Sequence, residues 1–165
     1  MPEYARPRFA ATVMVPGFEL SGQIEPIGPW LDFLNARDKY TLPMYHTRVL
    51  PIGAAPGSTS ERAQVFVQRF EVQLIYLPDR AAHETIYMLK NAQAAICHTG
   101  PLICRGELHM GTDATLATYF DDLPGHFFPM TNVEIFSTVT LPAPLPRKAD
   151  LILLNRSQVQ LYYPA

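Results

Sequence analysis

Apolar and polar positions change rhythm several times along the chain, and each change marks an element. Ala11 to Val15 and Glu19 to Ile27 are short stretches rich in β-branched or apolar residues around Pro16-Gly17, and Ala94 to His98 and Leu102 to Met110 flank Thr99-Gly100-Pro101 likewise. Both pairs predict hairpins. Trp30, Phe33 and Leu34 then lie at i, i+3, i+4 spacing, and Leu116, Tyr119 and Phe120 repeat it. A single helical turn at each place lays three large side chains on a sheet, as the plug of a barrel. Tyr40 to Ile52 and Phe127 to Leu141 read as longer strands, with Pro43 and Pro129 near their starts, where a missing backbone donor is tolerated at an edge. Proline-rich loops follow, Ala54 to Ala63 with Pro56 and Gly57, and Pro142 to Pro146. Each loop leads into a final β-prone strand, Gln64 to Leu77 and Asp150 to Tyr163. Between these two series, Asp79 is placed to cap a helix from Arg80 to about Asn91, with Ala82, Ile86 and Leu89 on one face.

The two series match in order. Phe18 to Ile24 aligns with Leu102 to Leu108, bringing Gly22 over Gly106. With small steps in the offset, Leu42-Pro43-Met44 falls on Phe128-Pro129-Met130, and Arg69, Val72, Gln73, Leu74 and Tyr76 fall on Arg156, Val159, Gln160, Leu161 and Tyr163. An internal duplication is expected, with repeats over 1–78 and 94–165 and a helical linker over 79–93. Halves of this size sit near the lower limit for an independent core, so each is expected to need the other.

Composition narrows the function classes. The chain has 165 residues, of which 48% are hydrophobic and 17% charged, a globular profile, and its 16 prolines disfavour long helices. A formal net charge of -2 lacks the electrostatic footprint of non-specific DNA binding or of an anionic membrane surface. No apolar run approaches the roughly 18 residues of a membrane span, and Met1 to Phe9, with Arg6 and Arg8, lacks the apolar centre of a secretory signal. The expectation is a cytoplasmic protein.

The residues offer little chemistry. Cys97, His98, Cys104 and His109 share one predicted hairpin. With its turn at Gly100-Pro101, Cys97 opposes Cys104, whereas His98 opposes Ile103 and shares the other face with His109, about 20 Å along the strand. Four ligands cannot converge, so no metal is expected. The thiols read as small core hydrophobes, and a cross-strand disulfide, the alternative, should stay open in a reducing compartment. There is no Gly-x-Ser-x-Gly elbow or phosphate-cradling glycine loop, and His83-Glu84 lacks the second histidine of the zinc-protease motif. Asp121 and Asp122, being adjacent, point apart. His46 and His126 read as packing histidines. Neither enzymatic activity nor a cofactor is expected. Exposed rings such as Tyr45, Phe120 and Tyr163 can stack bases, but no basic stripe accompanies them, so nucleic acid is disfavoured.

A glycine in the second strand, an Asp/Asn-bearing turn, a third strand, and the stretches Val65-Phe-Val-Gln-Arg69-Phe-Glu-Val72 and Leu153-Leu-Asn-Arg156-Ser-Gln-Val159 together resemble the two signatures of the Sm-like small β-barrel. The connection from Gly22 to Pro43 is longer than the family's, and Phe70 and Ser157 stand where it carries glycine. The resemblance implies an all-β, mainly antiparallel fold with one or two short helices, arranged as two similar Sm-like barrels. It also implies edge-to-edge joining of barrels, and a ligand pocket at Asp32, Asn35 and Arg69 with Asp121 and Arg156 in the second half. Charged residues usually make up about 25–35% of an isolated domain's surface. With fewer to distribute, this chain is expected to cover uncharged surface with a partner, through β-edges such as Leu74 to Leu77 and Leu161 to Tyr163. The leading expectation is a non-enzymatic assembly or adaptor subunit that contacts itself or another protein through β-edges and Pro-rich loops. The alternative is a small-ligand, nucleotide or RNA-binding module.

Overall fold

A computed structural model describes residues 5–55 and 57–165; Met1 to Tyr4 of the N-terminal segment and Pro56 of the first Pro-rich loop lie outside the described residues. The fold is mainly antiparallel β with two short helices. Strands β1 (Phe9–Val15) and β2 (Phe18–Ile24) form the first hairpin, α1 (Trp30–Leu34) follows, and β3 (Thr41–Pro51), β4 (Ser60–Gln68) and β5 (Leu74–Tyr76) complete the first series. The second contains β6 (Asn91–Thr99), β7 (Leu102–Met110), α2 (Tyr119–Asp122), β8 (Phe127–Ser137), β9 (Lys148–Asn155) and β10 (Val159–Pro164). All ten strands join one sheet in the order β10-β6-β7-β8-β9-β5-β1-β2-β3-β4. That sheet is open, with β10 and β4 at its ends, where the resemblance implied two similar Sm-like barrel halves.

The hairpin registers agree with the sequence reading: Cys97 pairs with Cys104 and His98 with Ile103. Pairing slips by one residue between β2 and β3 on either side of Gly22, and between β7 and β8 on either side of Gly106. The extra residue on the partner strand leaves His46 (φ 49°) and Asn132 (φ 50°) in left-handed backbone. These bulges increase local twist and bend the sheet. Both require glycine opposite, since a Cβ on Gly22 would lie 2.9 Å from the Tyr45 carbonyl oxygen and one on Gly106 2.7 Å from that of Thr131.

Two hydrophobic cores share the sheet's central strands. Val13, Ile24, Trp30, Leu34, Leu42 and Met44 build the first, and Leu151 and Leu153 of β9 enter it from the far half of the sequence. Ile152 and Leu154, on the opposite face of β9, join Leu102, Leu108, Phe128 and Met130 in the second, together with Met14 and Leu74. Strands buried on both faces carry continuous apolar runs, and Leu151-Ile-Leu-Leu154 is one.

Three expectations are corrected. Each long final strand is two strands, broken by a 3-10 turn at Arg69–Glu71 and at Arg156–Gln158, where the arginine turns inward onto a neighbouring loop. The helix from Arg80 to Asn91 is one 3-10 turn, Arg80–His83, capped by Asp79 as expected, because the Thr85-Ile-Tyr run favours extended backbone and Asn91 already begins β6. Finally, β5 is no edge, since it pairs with both β1 and β9 and its Leu74 and Ile75 are completely buried, as is Leu77 just after it.

Candidate functional site

Three of the five residues singled out by the resemblance border one cavity. Asn35, Arg69 and Arg156, with Arg37, Lys39, Phe70, His126 and Asn155, surround about 330 Å³ at the junction of the two halves. The chain arrives there from α1, from the turn after β4, from the segment before β8 and from the turn after β9.

Most of these side chains hold the fold. Arg69 is buried; its Nε donates to the Thr41 carbonyl at 2.9 Å and its Nη1 to the carbonyls of Phe33 (2.5 Å) and Leu34 (3.0 Å), with the guanidinium over the Phe33 ring. It thereby satisfies carbonyls at the C-terminal end of α1, which has too few residues to satisfy them internally. Burial lowers its pKa, and the Asp38 charge partly opposes that. Arg156 has the corresponding place in the second half, where its Nη1 donates to the Phe120 carbonyl at 2.7 Å and that of Leu123 at 3.2 Å.

Two asparagines cross between the halves. The Asn35 amide donates to the Phe127 carbonyl at 3.2 Å and accepts from the Phe127 N–H at 2.8 Å, as one more strand rung would. Buried Asn155 donates to the carbonyls of Arg69 and Phe70 and accepts from the Ser157 N–H. His126 packs edge-on against Phe70 and meets the Ser157 hydroxyl at 2.9 Å. Burial, and then the Arg156 charge, hold its pKa below the ordinary value. It is hydrogen-bonded and packed against one ring yet exposed, and His46 is exposed at a bulge.

No family model, no curated protein and no solved structure matches the chain. The geometry therefore stands alone.

Asp32 is not in this cavity but borders a second one, on the other side of Asn35, and Asp121 is exposed on α2 outside both. The residues missed in the sequence are Arg37, Lys39 and Asn155; that Asn155 directly precedes the candidate Arg156 was the available signal for the last. Arg37 and Lys39 are exposed, the wall carries no carboxylate, and the cavity can therefore receive an anion. Cys97 and Cys104 are free, buried and directly opposed, and burial pushes both thiols up to about 12, leaving them inert as nucleophiles at neutral pH. Among the described residues no helix is long and apolar enough to cross a membrane.

Proposed function

We propose that the chain is an assembly subunit, a tandem pair of Sm-like modules that continues its own sheet into a second copy. The observation that carries this reading is the junction inside the molecule. Strand β5 pairs antiparallel with β9, Leu74 with Leu154, Ile75 with Leu153 and Tyr76 with Ile152. Under the self-alignment of the sequence, β5 corresponds to β10 and β9 to β4, the two strands left with an unpaired edge. The same register carried between copies pairs Leu161 with Val67, Tyr162 with Phe66 and Tyr163 with Val65. The duplication is supported by the matching strand orders β5-β1-β2-β3-β4 and β10-β6-β7-β8-β9, and by the paired bulges at Gly22 and Gly106. Both edges expose apolar residues, Phe66 at 64% and Leu161 at 50%. A head-to-tail contact of this kind closes into a ring or runs on as a fibre.

The test is native mass across a concentration series for the wild-type chain and for Phe66→Asp, a change at an exposed position. A closed oligomer lost in the variant supports the reading. A wild-type monomer at every concentration sinks it.

A second reading, a nucleotide or small anionic ligand module, is favoured by the junction cavity with its basic wall. Since Arg69 and Arg156 already serve backbone carbonyls, Arg37 and Lys39 would carry recognition. Thermal shift with nucleoside monophosphates, abolished by Arg37→Ala with Lys39→Ala, tests it.

A further inference from the structure

The larger cavity encloses about 620 Å³ between α1, the segment Thr85 to Leu89 and the start of β8. Its size falls in the range of small-molecule sites, roughly 300–1,000 Å³. Its wall is mainly apolar, with Leu31, Met88, Leu123 and Phe128 among its residues. The polar side chains on that wall divide sharply. Asn35 is committed to the Phe127 backbone, the Thr85 hydroxyl accepts from the Trp30 N–H, and the two ring nitrogens of His109 face the Leu89 carbonyl and the Thr131 hydroxyl. Both of its ring nitrogens are thus engaged. The Tyr87 and Tyr119 hydroxyls and Asp32 are left; Asp32 is the one carboxylate on the wall, it is exposed, it makes no ion pair or hydrogen bond among the described residues, and no lysine or arginine borders the cavity. Of the two phenol rings on the wall, Tyr119 is buried against Phe120 and Phe128, whereas Tyr87 is exposed, and an uncovered ring face attracts cations.

The lip carries a second observation. Tyr87, Met88 and Leu89 are consecutive, large and 82%, 39% and 59% exposed, in a segment that belongs to no strand. Three adjacent residues of that kind gain by burial against an apolar body.

We propose that this cavity binds a small organic cation: an ammonium against Asp32, carried on an apolar body that packs between the Tyr87–Leu89 lip and Leu123. This is independent of the edge-pairing reading, since the site uses neither β4 nor β10. Charge complementarity selects a cation, and the volume selects a small molecule over a folded partner.

The experiment is an NMR titration of the full chain with benzyltrimethylammonium, alongside neutral benzyl alcohol and anionic benzoate. Saturable shifts confined to the Leu31, Leu89 and Leu123 methyls are expected for the cation, with benzyl alcohol and benzoate weaker. Asp32→Asn should weaken the cation about tenfold, the scale of one partly solvated charge contact, and leave the other two unchanged. Asp121→Asn, which removes an exposed carboxylate outside the cavity, should change nothing. Equal binding of benzoate, unchanged affinity in Asp32→Asn, or no saturable shift up to roughly 5 mM would overturn the proposal. So would a lysine-bearing peptide that shifts the same methyls when the free ammonium does not, since the occupant would then be a protein segment.

Discussion

Replacing Arg69 by methionine removes a guanidinium that serves three carbonyls of its own chain. The donors reach Thr41, Phe33 and Leu34 over 2.5–3.0 Å, and the Phe33 ring lies 4.9 Å away. A hydrogen bond to a charged group contributes about 1.5–3 kcal/mol, so the gross loss is roughly 5–9 kcal/mol. Taking the guanidinium out of water costs several kcal/mol in the native protein, which the variant recovers. The net expectation is a destabilisation of about 3–5 kcal/mol. Arg156 serves two carbonyls from a half-buried position, so Arg156→Met should cost only about 1–3 kcal/mol. Arg69→Lys keeps the charge but cannot span all three acceptors, and should recover only part of the loss. Urea unfolding followed by Trp30 fluorescence, with the m-value unchanged, measures all three. A loss below about 1 kcal/mol in Arg69→Met, or one no larger than in Arg156→Met, would refute the assignment of Arg69 as the tie between the α1 end and its surroundings.

Three more expectations follow from the geometry. Gly22→Ala and Gly106→Ala should each cost about 1–3 kcal/mol because backbone oxygens occupy the space a Cβ needs, whereas Gly111→Ala, with nothing within 4 Å, should be near neutral; equal midpoints in chemical denaturation would count against the bulge argument. Burial raises the Glu19 carboxyl above its ordinary value, with the Ala143 N–H acting the other way, so the native state holds that proton longer than the unfolded chain does. Stability from the neutral form is complete below the ordinary pKa and falls as pH rises through the folded one; Glu19→Gln should flatten that fall on the alkaline side of the ordinary carboxylate pKa, and parallel pH profiles would contradict it. With thiols near 12, only on the order of 10⁻⁴ of each is ionised at about pH 8, so Cys97 and Cys104 should react with an aromatic disulfide reagent only as fast as the chain opens. Stoichiometric labelling of the native protein within seconds would show them accessible.

Local signals carried the elements and failed where distant residues decide. Gly100 fixed its hairpin to the residue, and the i, i+3, i+4 aromatics located both helical turns. The breaks at Arg69 and Arg156 lay hidden because β-prone residues run on either side; the interruption comes from carbonyls some 30 residues earlier that call the guanidinium inward. Edge and interior strands were confused for a different reason. Leu74-Ile75 is aliphatic on both faces and is buried on both, while Leu161-Tyr-Tyr163 carries phenols that tolerate water, a contrast that was readable but outweighed by their similar β-propensity. Of the site, Arg69, Arg156 and Asn35 converge as positions, yet their engagement with backbone carbonyls and amides depends on packing that no spacing encodes.

The strand β9, with one side in each core, ties the order of folding to the order of synthesis. Residues up to Tyr76 cannot complete their core until Leu151 and Leu153 have been made, at about 5–20 residues per second a wait of roughly 4–16 s. During that interval β5 has a bare edge and the first core lacks one wall. We predict that a nascent chain stalled with Leu77 clear of the ribosome is cut by added protease and that one stalled past Ala165 is not; equal resistance would mean the first half closes alone. A protein built this way spends its first moments as the aggregation-prone partner of its own unmade half, and is therefore a natural client for whatever shields chains at the tunnel exit.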